Sequence, residues 1–348
     1  MKGVIIAGGF GTRMRPLTLT TPKPILPICN KPFLLIKIEQ LKKHGINDII
    51  LCLQYLPDSI KEVLNAQKDQ IGVNIHYVIE DVPLGTAGAI KNAEKYFDGD
   101  TLVICNGDIL TDLDITAMND FHKEKQAEIT IATTEVSDPS AFGLILSDQH
   151  KKIFRFLEKP SFEKLAEIAA KNSNTTTKGS LSLNYINAGT YLIESEVFEM
   201  VPFGKKVSIE RETFPDLLEN GSNLFAYDSS CYWLDLGTPE KYLQAHQDVL
   251  NSKIEIDTTG KDWNENIVDN ETLIPASLKT EGASSFGKNV KIGTNCTIKD
   301  SVILDNVCIG DNVTLKECIL GNHSFIANNT NLPRGSVIGD YTAIGKDN

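Results

Sequence analysis

Apolar runs separated by helical patterns organise the chain up to about residue 110. Lys2–Ala7, Asp48–Leu53, Val73–Ile79 and Thr101–Cys105 carry nearly continuous apolar residues, which predicts strands buried on both faces. Between them, Pro32–His44 sets Leu34, Leu35, Ile38 and Leu41 on one helical face and stops at Gly45, a residue suited to close a helix. Pro57–Ala66 and Thr86–Phe97 read as further helices. Such alternation predicts an α/β domain whose parallel sheet is covered on both sides and whose ligands meet the carboxyl ends of the strands. A glycine turn, Glu80, and Asn106-Gly107-Asp108 each follow directly on a predicted strand, so all three are expected at one crevice.

Later in the chain, Ala141-Phe142-Gly143 opens a strand that ends near Ser147. Phe162 to Leu183 departs from the core pattern. A short polar helix is followed there by Asn172-Ser173-Asn174-Thr175-Thr176-Thr177-Lys178-Gly179-Ser180, which reads as a mobile surface insertion. After Leu250 the periodicity weakens, and 251–280 reads as a linker. Then apolar residues recur every six positions, at Phe286, Ile292 and Ile298, at Ile303, Ile309 and Leu315, and at Leu320, Ile326, Leu332, Ile338 and Ile344. A small or β-branched residue stands four positions after nearly every one, as at Val290, Cys296 and Val302. This hexapeptide repeat predicts a parallel β-helix, left-handed by its similarity to known hexapeptide proteins. The expected domains are therefore 1–250, a linker over 251–280, and a solenoid over 281–348. A solenoid this short leaves apolar surface at its ends, so burial against the first domain or a second copy is expected, and with it a homo-oligomer.

Composition narrows the class of partner. An apolar content of 41% and a charged content of 23% are ordinary for a soluble globular protein, and no run approaches a membrane span. A net charge of −12 argues against nucleic-acid and anionic-membrane partners, so any anion site must be a local basic pocket. The seven cysteines are scattered without a C-x-x-C pair, which fits buried apolar thiols in a reducing cytoplasm.

That pocket is expected in Ala7 to Pro27, A-G-G-F-G-T-R-M-R-P-L-T-L-T-T-P-K-P-I-L-P. A glycine-rich turn leaves N–H groups free for phosphate oxygens. The turn lacks both the dinucleotide fingerprint and the Gly-Lys-Ser/Thr ending of an NTPase loop. It carries Arg13 and Arg15 instead, and Lys23, stiffened between Pro22 and Pro24. The stretch resembles the signature of the sugar-phosphate nucleotidyltransferases, the NDP-sugar pyrophosphorylases. The resemblance implies a Rossmann-like domain with a mixed, mostly parallel sheet. It implies that Ala7, Gly8, Gly9, Gly11, Thr12 and Arg13 wrap a nucleoside triphosphate, with Arg13 and Lys23 catalytic.

Glu80 to Gly88, E-D-V-P-L-G-T-A-G, is either a loop with Thr86 as helix cap or a base pocket with Gly85 and Gly88 against a flat ring. It is most similar to the guanylyltransferase branch of the family, in particular the members that use mannose 1-phosphate. That likeness makes GTP the expected nucleotide, with Glu80 accepting two hydrogen bonds from guanine and Gly85 and Thr86 beside it. Phe156-Leu157-Glu158-Lys159-Pro160 and Asn187-Ala188-Gly189 resemble the family's sugar side, which assigns the sugar phosphate to Gly143, Glu158, Lys159 and Asn187. Ser208 to Pro215, S-I-E-R-E-T-F-P, again looks like the mannose-type members. Asp108 and Asp235, the latter in Y-W-L-D-L-G-T-P, are the implied ligands of Mg²⁺, which needs only one or two carboxylates beside phosphate and water. The implied reaction moves a nucleotidyl group from an NTP to a sugar 1-phosphate and releases pyrophosphate. Glucose adenylyl- or thymidylyltransferases, heptose guanylyltransferases and non-catalytic regulatory relatives are the alternatives.

Overall fold

A computed structural model of the protein describes residues 1–173 and 183–345. The first strands and helices fall where the periodicity requires, except that the helix expected over Thr86–Phe97 ends at Asn92 and gives way to a 3₁₀ turn at Glu94–Tyr96. These are β1 (Lys2–Ile6), α1 (Phe33–Lys43), β2 (Asp48–Leu53), α2 (Pro57–Ala66), β3 (Asn74–Ile79), α3 (Gly85–Asn92) and β4 (Leu102–Asn106). Gly45, at φ 77°, follows α1 as expected of the residue that closes a helix. Next come β5 (Ile109–Thr111), α4 (Ile115–Glu124), β6 (Ile129–Glu135), β7 (Gly143–Ser147), β8 (Ile153–Glu158), α5 (Phe162–Ser173) and β9 (Tyr185–Ile193). The domain closes with α6 (Phe214–Glu219), β10 (Leu224–Asp228), β11 (Trp233–Asp235) and α7 (Pro239–Leu250).

The main sheet runs β8-β7-β9-β4-β1-β2-β3, with β6 added beside β9 and β10 beside β6. Strands β4, β1, β2 and β3 are parallel, whereas β9 runs antiparallel to β4, so the sheet is mixed. Successive side chains of a strand face opposite ways, and here each face has its own core. Val4, Ile50 and Ile104 pack with Ile90, Phe97 and Phe198, while Ile5, Leu51 and Val103 pack with Leu34, Ile38 and Met118. Burying each such side chain contributes roughly 1.5–3 kcal/mol, which is why these strands tolerate no polar face.

Two expectations change here. The helix of the insertion forms as α5, but it is not merely superficial: Leu165 and Ile168 pack against Leu144 and Leu146. Residues 174–182, the centre of the expected mobile insertion, lie outside the described residues. The second change concerns the start of the solenoid. The span expected to link, 251–280, already contains the strands Lys261–Trp263, Asn266–Val268 and Lys279–Glu281. Asn266–Val268 pairs in parallel with Ser285–Phe286, and Lys279–Glu281 with Thr297–Lys299. A coil's first strands are joined by long-range ladders, so they show no period of their own.

The solenoid itself stacks three sheets, one for each hexad of a coil, parallel except where Lys261–Trp263 pairs antiparallel with Asn266–Val268 at its start, as expected of a left-handed parallel β-helix. Partners one coil apart are 17 or 18 residues apart in sequence. The apolar hexad residues form its core, Phe286, Ile298, Ile303, Ile309, Leu315, Leu320 and Ile326 among them. Corners fall on residues with positive φ, such as Asn289, Asn295, Asn306, Asn312 and Asn329. Asparagine tolerates that conformation, and the corner N–H groups of Asn306, Asn312 and Asn329 bond carbonyls one coil back, Asn306 to that of Lys288 at 2.7 Å. One side of the solenoid is buried on the first domain: Val302, Leu304 and Ile319 share a cluster with Met14, Leu17, Leu236 and Tyr242.

Candidate active site

Ala7 is the last residue of the first strand's path to bond the sheet, donating to the Cys52 carbonyl at 2.9 Å. From Gly8 to Arg13, among the described residues, no N–H finds a partner inside the protein. A row of N–H groups without a protein partner, half-buried at Gly8 and Gly11 and exposed at the residues between and after, is what an anion would satisfy. Gly11, at φ 61°, turns the chain, and Thr18 Oγ1 donates to its carbonyl at 2.7 Å. The turn borders a cleft of about 340 Å³ lined by Ala7, Gly9, Gly11, Thr12, Arg13, Lys23, Thr86 and Asp108. Gly9 has open space where a Cβ would stand, whereas Gly8 backs onto Gln54 and Glu80. Arg15, grouped with the cleft's basic residues from the sequence, is exposed and does not line it.

At the mouth of β4 the two aspartates meet. Asp235 lies opposite Ile109 in the β5–β11 ladder, and Leu236 N–H donates to the Asp108 carbonyl at 2.9 Å. Lys23 Nζ donates to Asp108 Oδ2 at 2.8 Å. Burial and the charge of Asp108 push Asp235 above the usual carboxylate range, while Lys23, Arg13 and Lys159 pull it down. Gly237 makes room beside them: a Cβ there would stand 3.0 Å from the Arg13 guanidinium and from Asp235 Oδ2. Two neighbouring hard-oxygen carboxylates fit Mg²⁺ in donor type and number, since that ion takes one or two carboxylates beside phosphate and water. Gly107, whose Cβ would lie 2.6 Å from the Ile6 carbonyl oxygen, brings the end of β4 against β1. Neither close approach is legible in the sequence, although Gly107 adjoins Asp108 and Gly237 stands two residues after Asp235.

The base side is built differently from the expectation. Glu80 is buried, with Oε2 accepting Leu84 N–H at 2.9 Å, and burial pushes its carboxyl up. One of its oxygens is thus committed to the loop, and Oε1 faces the position of Gly8. Gly85 and Gly88 do not lie open to a flat ring. A Cβ on Gly85 would come 2.6 Å from the Val207 carbonyl oxygen, and one on Gly88 would overlap that of Lys205. Their missing side chains let 205–207 dock on α3, where Ala87 N–H donates to Val207 O at 3.0 Å. Thr86 is not the cap of α3, since its hydroxyl donates to Glu210 Oε2 and accepts from Ile209 N–H, both at 2.8 Å. Asp114 does cap its helix, accepting Ala117 N–H at 2.9 Å, which leaves Asp108 free for the cleft.

On the sugar side, Gly143 makes room for its own neighbours: a Cβ would stand 2.6 Å from the Phe156 ring and 2.9 Å from Glu158 Oε2. Glu158 is raised by burial and by Glu210, and lowered by Lys159 and Arg211. Lys159 Nζ lies 3.7 Å from Glu158 Oε1 and is mostly exposed, a loose pairing that leaves the ammonium available. Asn187 is engaged within the chain, accepting Gly189 N–H at 2.9 Å and donating to Tyr191 Oη at 2.8 Å. Glu210, which the sequence did not single out, ties α3 to this side. Its only sequence signal was the S-I-E-R-E stretch.

A mixed Rossmann-like sheet with an anion-binding turn, opposed lysine and carboxylates, and a hexad solenoid define a nucleotide-transferring enzyme class. The chain belongs to the nucleotidyl transferase family, whose model matches residues 2–252, and a model described as the GMPPB C-terminal domain matches 263–347. Among curated relatives, the mannose-1-phosphate guanylyltransferase of Mycobacterium tuberculosis is 32% identical over 88% of this chain and 80% of its own. The mannose-1-phosphate guanyltransferase of Kluyveromyces lactis is 38% identical over 80% of this chain and 72% of its own. Among solved structures, HddC from Yersinia pseudotuberculosis complexed with GMP-PN superposes with a TM-score of 0.57 at 29% identity, covering 71% of this chain and 98% of that one.

Proposed function

We propose that the protein transfers GMP from GTP to mannose 1-phosphate, forming GDP-mannose and pyrophosphate. The observation that carries the chemistry is the row of unpaired N–H groups from Gly8 to Arg13, set in one cleft with Lys23 and Asp108. The relatives named above supply the base and sugar. In the reaction an oxygen of the sugar phosphate attacks the α-phosphorus in line, and the bond to the β-phosphate oxygen breaks as pyrophosphate leaves. Catalysis of this kind consists of positioning and charge neutralisation. The turn's N–H groups hold the triphosphate, Arg13 faces the leaving pyrophosphate, Lys23 the α-phosphate, and Lys159 the incoming sugar phosphate. Asp108 and Asp235 would hold Mg²⁺, which when bound supplies further neutralisation of phosphate charge. Glu80 Oε1 is the acceptor left for the base edge.

The test is pyrophosphate release over a grid of NTPs and sugar 1-phosphates. GTP with mannose 1-phosphate is expected to give the highest kcat/KM. A higher value for any other pair would replace this substrate assignment, and no turnover of any pair would remove the enzymatic reading.

A further inference from the structure

Between Arg13 and Lys23 the chain leaves the cleft and crosses to the solenoid. Met14 and Leu17 are fully buried in the cluster that holds Val302, Leu304 and Ile319. Pro16 lies against Gly339, where a Cβ would stand 3.0 Å from its ring. Thr20 and Thr21 then both donate their hydroxyls to Asp340 Oδ2, Thr21 at 3.1 Å. Asp340 is well seated for this. Its Oδ1 accepts Asn322 N–H at 2.7 Å, and Tyr341 N–H beside it bonds the Asn322 carbonyl at 2.8 Å. One oxygen of this carboxylate therefore belongs to the coil, and the other reaches out to the arm.

The arm needs such support. Apart from the three-residue helical turns Thr12–Met14 and Lys23–Ile25, residues 12–25 have no regular structure. On the first domain's side the arm is held at Met14 and Leu17, which also pack on Leu236 and Tyr242, and at its end by Lys23 Nζ to Asp108 Oδ2. Between Leu17 and Lys23 its side-chain ties to that domain are Thr18 Oγ1 to the Gly11 carbonyl and Tyr55 Oη to the Thr18 and Leu19 carbonyls, the latter each at 3.2 Å. Its two ends carry the cationic side chains that line the cleft. A loop free to move would have to be ordered each time a triphosphate bound, at an entropic cost that lowers affinity and misplaces the charges.

We propose that Asp340 is a positioning residue for nucleotide transfer: the final described coil of the solenoid clamps the 16–21 arm through Thr20 and Thr21, and so fixes Arg13 and Lys23 toward the cleft. This rests on the reading that the cleft takes a nucleoside triphosphate. The solenoid, expected from sequence to pack on the first domain or a second copy, thereby becomes part of the wall that holds the nucleotide.

The experiment uses the full-length chain with Asp340→Ala, the double variant Thr20→Val/Thr21→Val, and Thr20→Ser/Thr21→Ser, which keeps both hydroxyls. Amide hydrogen exchange of residues 12–23, GTP binding by calorimetry, and steady-state kinetics are measured on each. Both disrupting variants are expected to speed exchange in 12–23, to weaken GTP binding, and to lower kcat/KM for GTP by about 10-fold or more. The KM for the sugar phosphate should stay within about twofold, and the serine pair should behave as the parent. Unchanged exchange and GTP binding in both disrupting variants would overturn the clamp. Weakened binding with global unfolding, and no recovery in the serine pair, would overturn it too, because the contact would then be merely structural. Exchange and binding are read without turnover, so a parent that turns over no substrate pair sinks the substrate assignment separately.

Discussion

Replacing Lys23 by alanine separates catalysis from folding at a single side chain. Lys23 donates to Asp108 Oδ2 at 2.8 Å, and the side chains keep 11% and 35% of their accessible surface. If the pair were only a surface ion pair, its loss would cost about 0–1 kcal/mol and leave turnover intact. A preorganised charged donor facing a transferring phosphate is worth about 3–4 kcal/mol in the barrier, or about 10²–10³ in kcat. Fold stability should suffer far less. Asp108 is one-third exposed, so water can solvate the freed carboxylate, and the loss should be about 1–2 kcal/mol instead of the roughly 3–5 of a fully buried pair. Pyrophosphate release at saturating GTP and sugar phosphate, with a thermal melt on the same sample, reads both quantities. A kcat within about threefold of the parent would refute the argument and reduce Lys23 to a partner of Asp108.

The remaining predictions test separate parts of the site. Gly9→Ala places a methyl in open space within the cleft, so it should fold normally and raise the KM for GTP; Gly88→Ala drives one into the Lys205 carbonyl and should cost about 1–3 kcal/mol in chemical denaturation. Equal stability of the two variants would count against the distinct roles assigned to these glycines. Glu80→Gln can still accept Leu84 N–H but presents a donor where Oε1 stood, so the kcat/KM preference for GTP over ATP should fall by about 5- to 150-fold. An unchanged preference would show that backbone groups read the base. His246 is buried between the Pro27 carbonyl and Ser285 Oγ, and burial lowers its pKa to about 3. The unfolded chain, where the value is near 6.5, then binds the proton first, so stability should be fully present above about pH 6.5 and be lost as pH falls toward 3, by up to about 1.4 kcal/mol per unit. Urea midpoints at pH 7, 5.5 and 4 should show this slope in the parent and less of it in His246→Gln.

Periodicity and spacing made much of this molecule legible. Strands such as Asp48–Leu53 and helices such as Pro57–Ala66 are set by local burial pattern, and the hexads carry their period on every turn. That the glycine turn, Arg13, Lys23 and Asp108 share one cleft was legible too, because the turn and Asp108 follow directly on strands whose carboxyl ends converge by topology. The roles of several glycines were not. Gly85, Gly88 and Gly143 lack a Cβ because another part of the same chain fills its place, and a sequence cannot distinguish that from room left for a ligand. Nor could it set the start of the solenoid, since Asn266–Val268 becomes a strand only through its ladder to Ser285–Phe286. The contact of Thr20 and Thr21 with Asp340 spans some 320 residues and leaves no local trace. Short-range order follows from each segment's own pattern of burial and turns. Which segments meet is decided only when two faces pack, and that packing sets how firmly Arg13 and Lys23 are held.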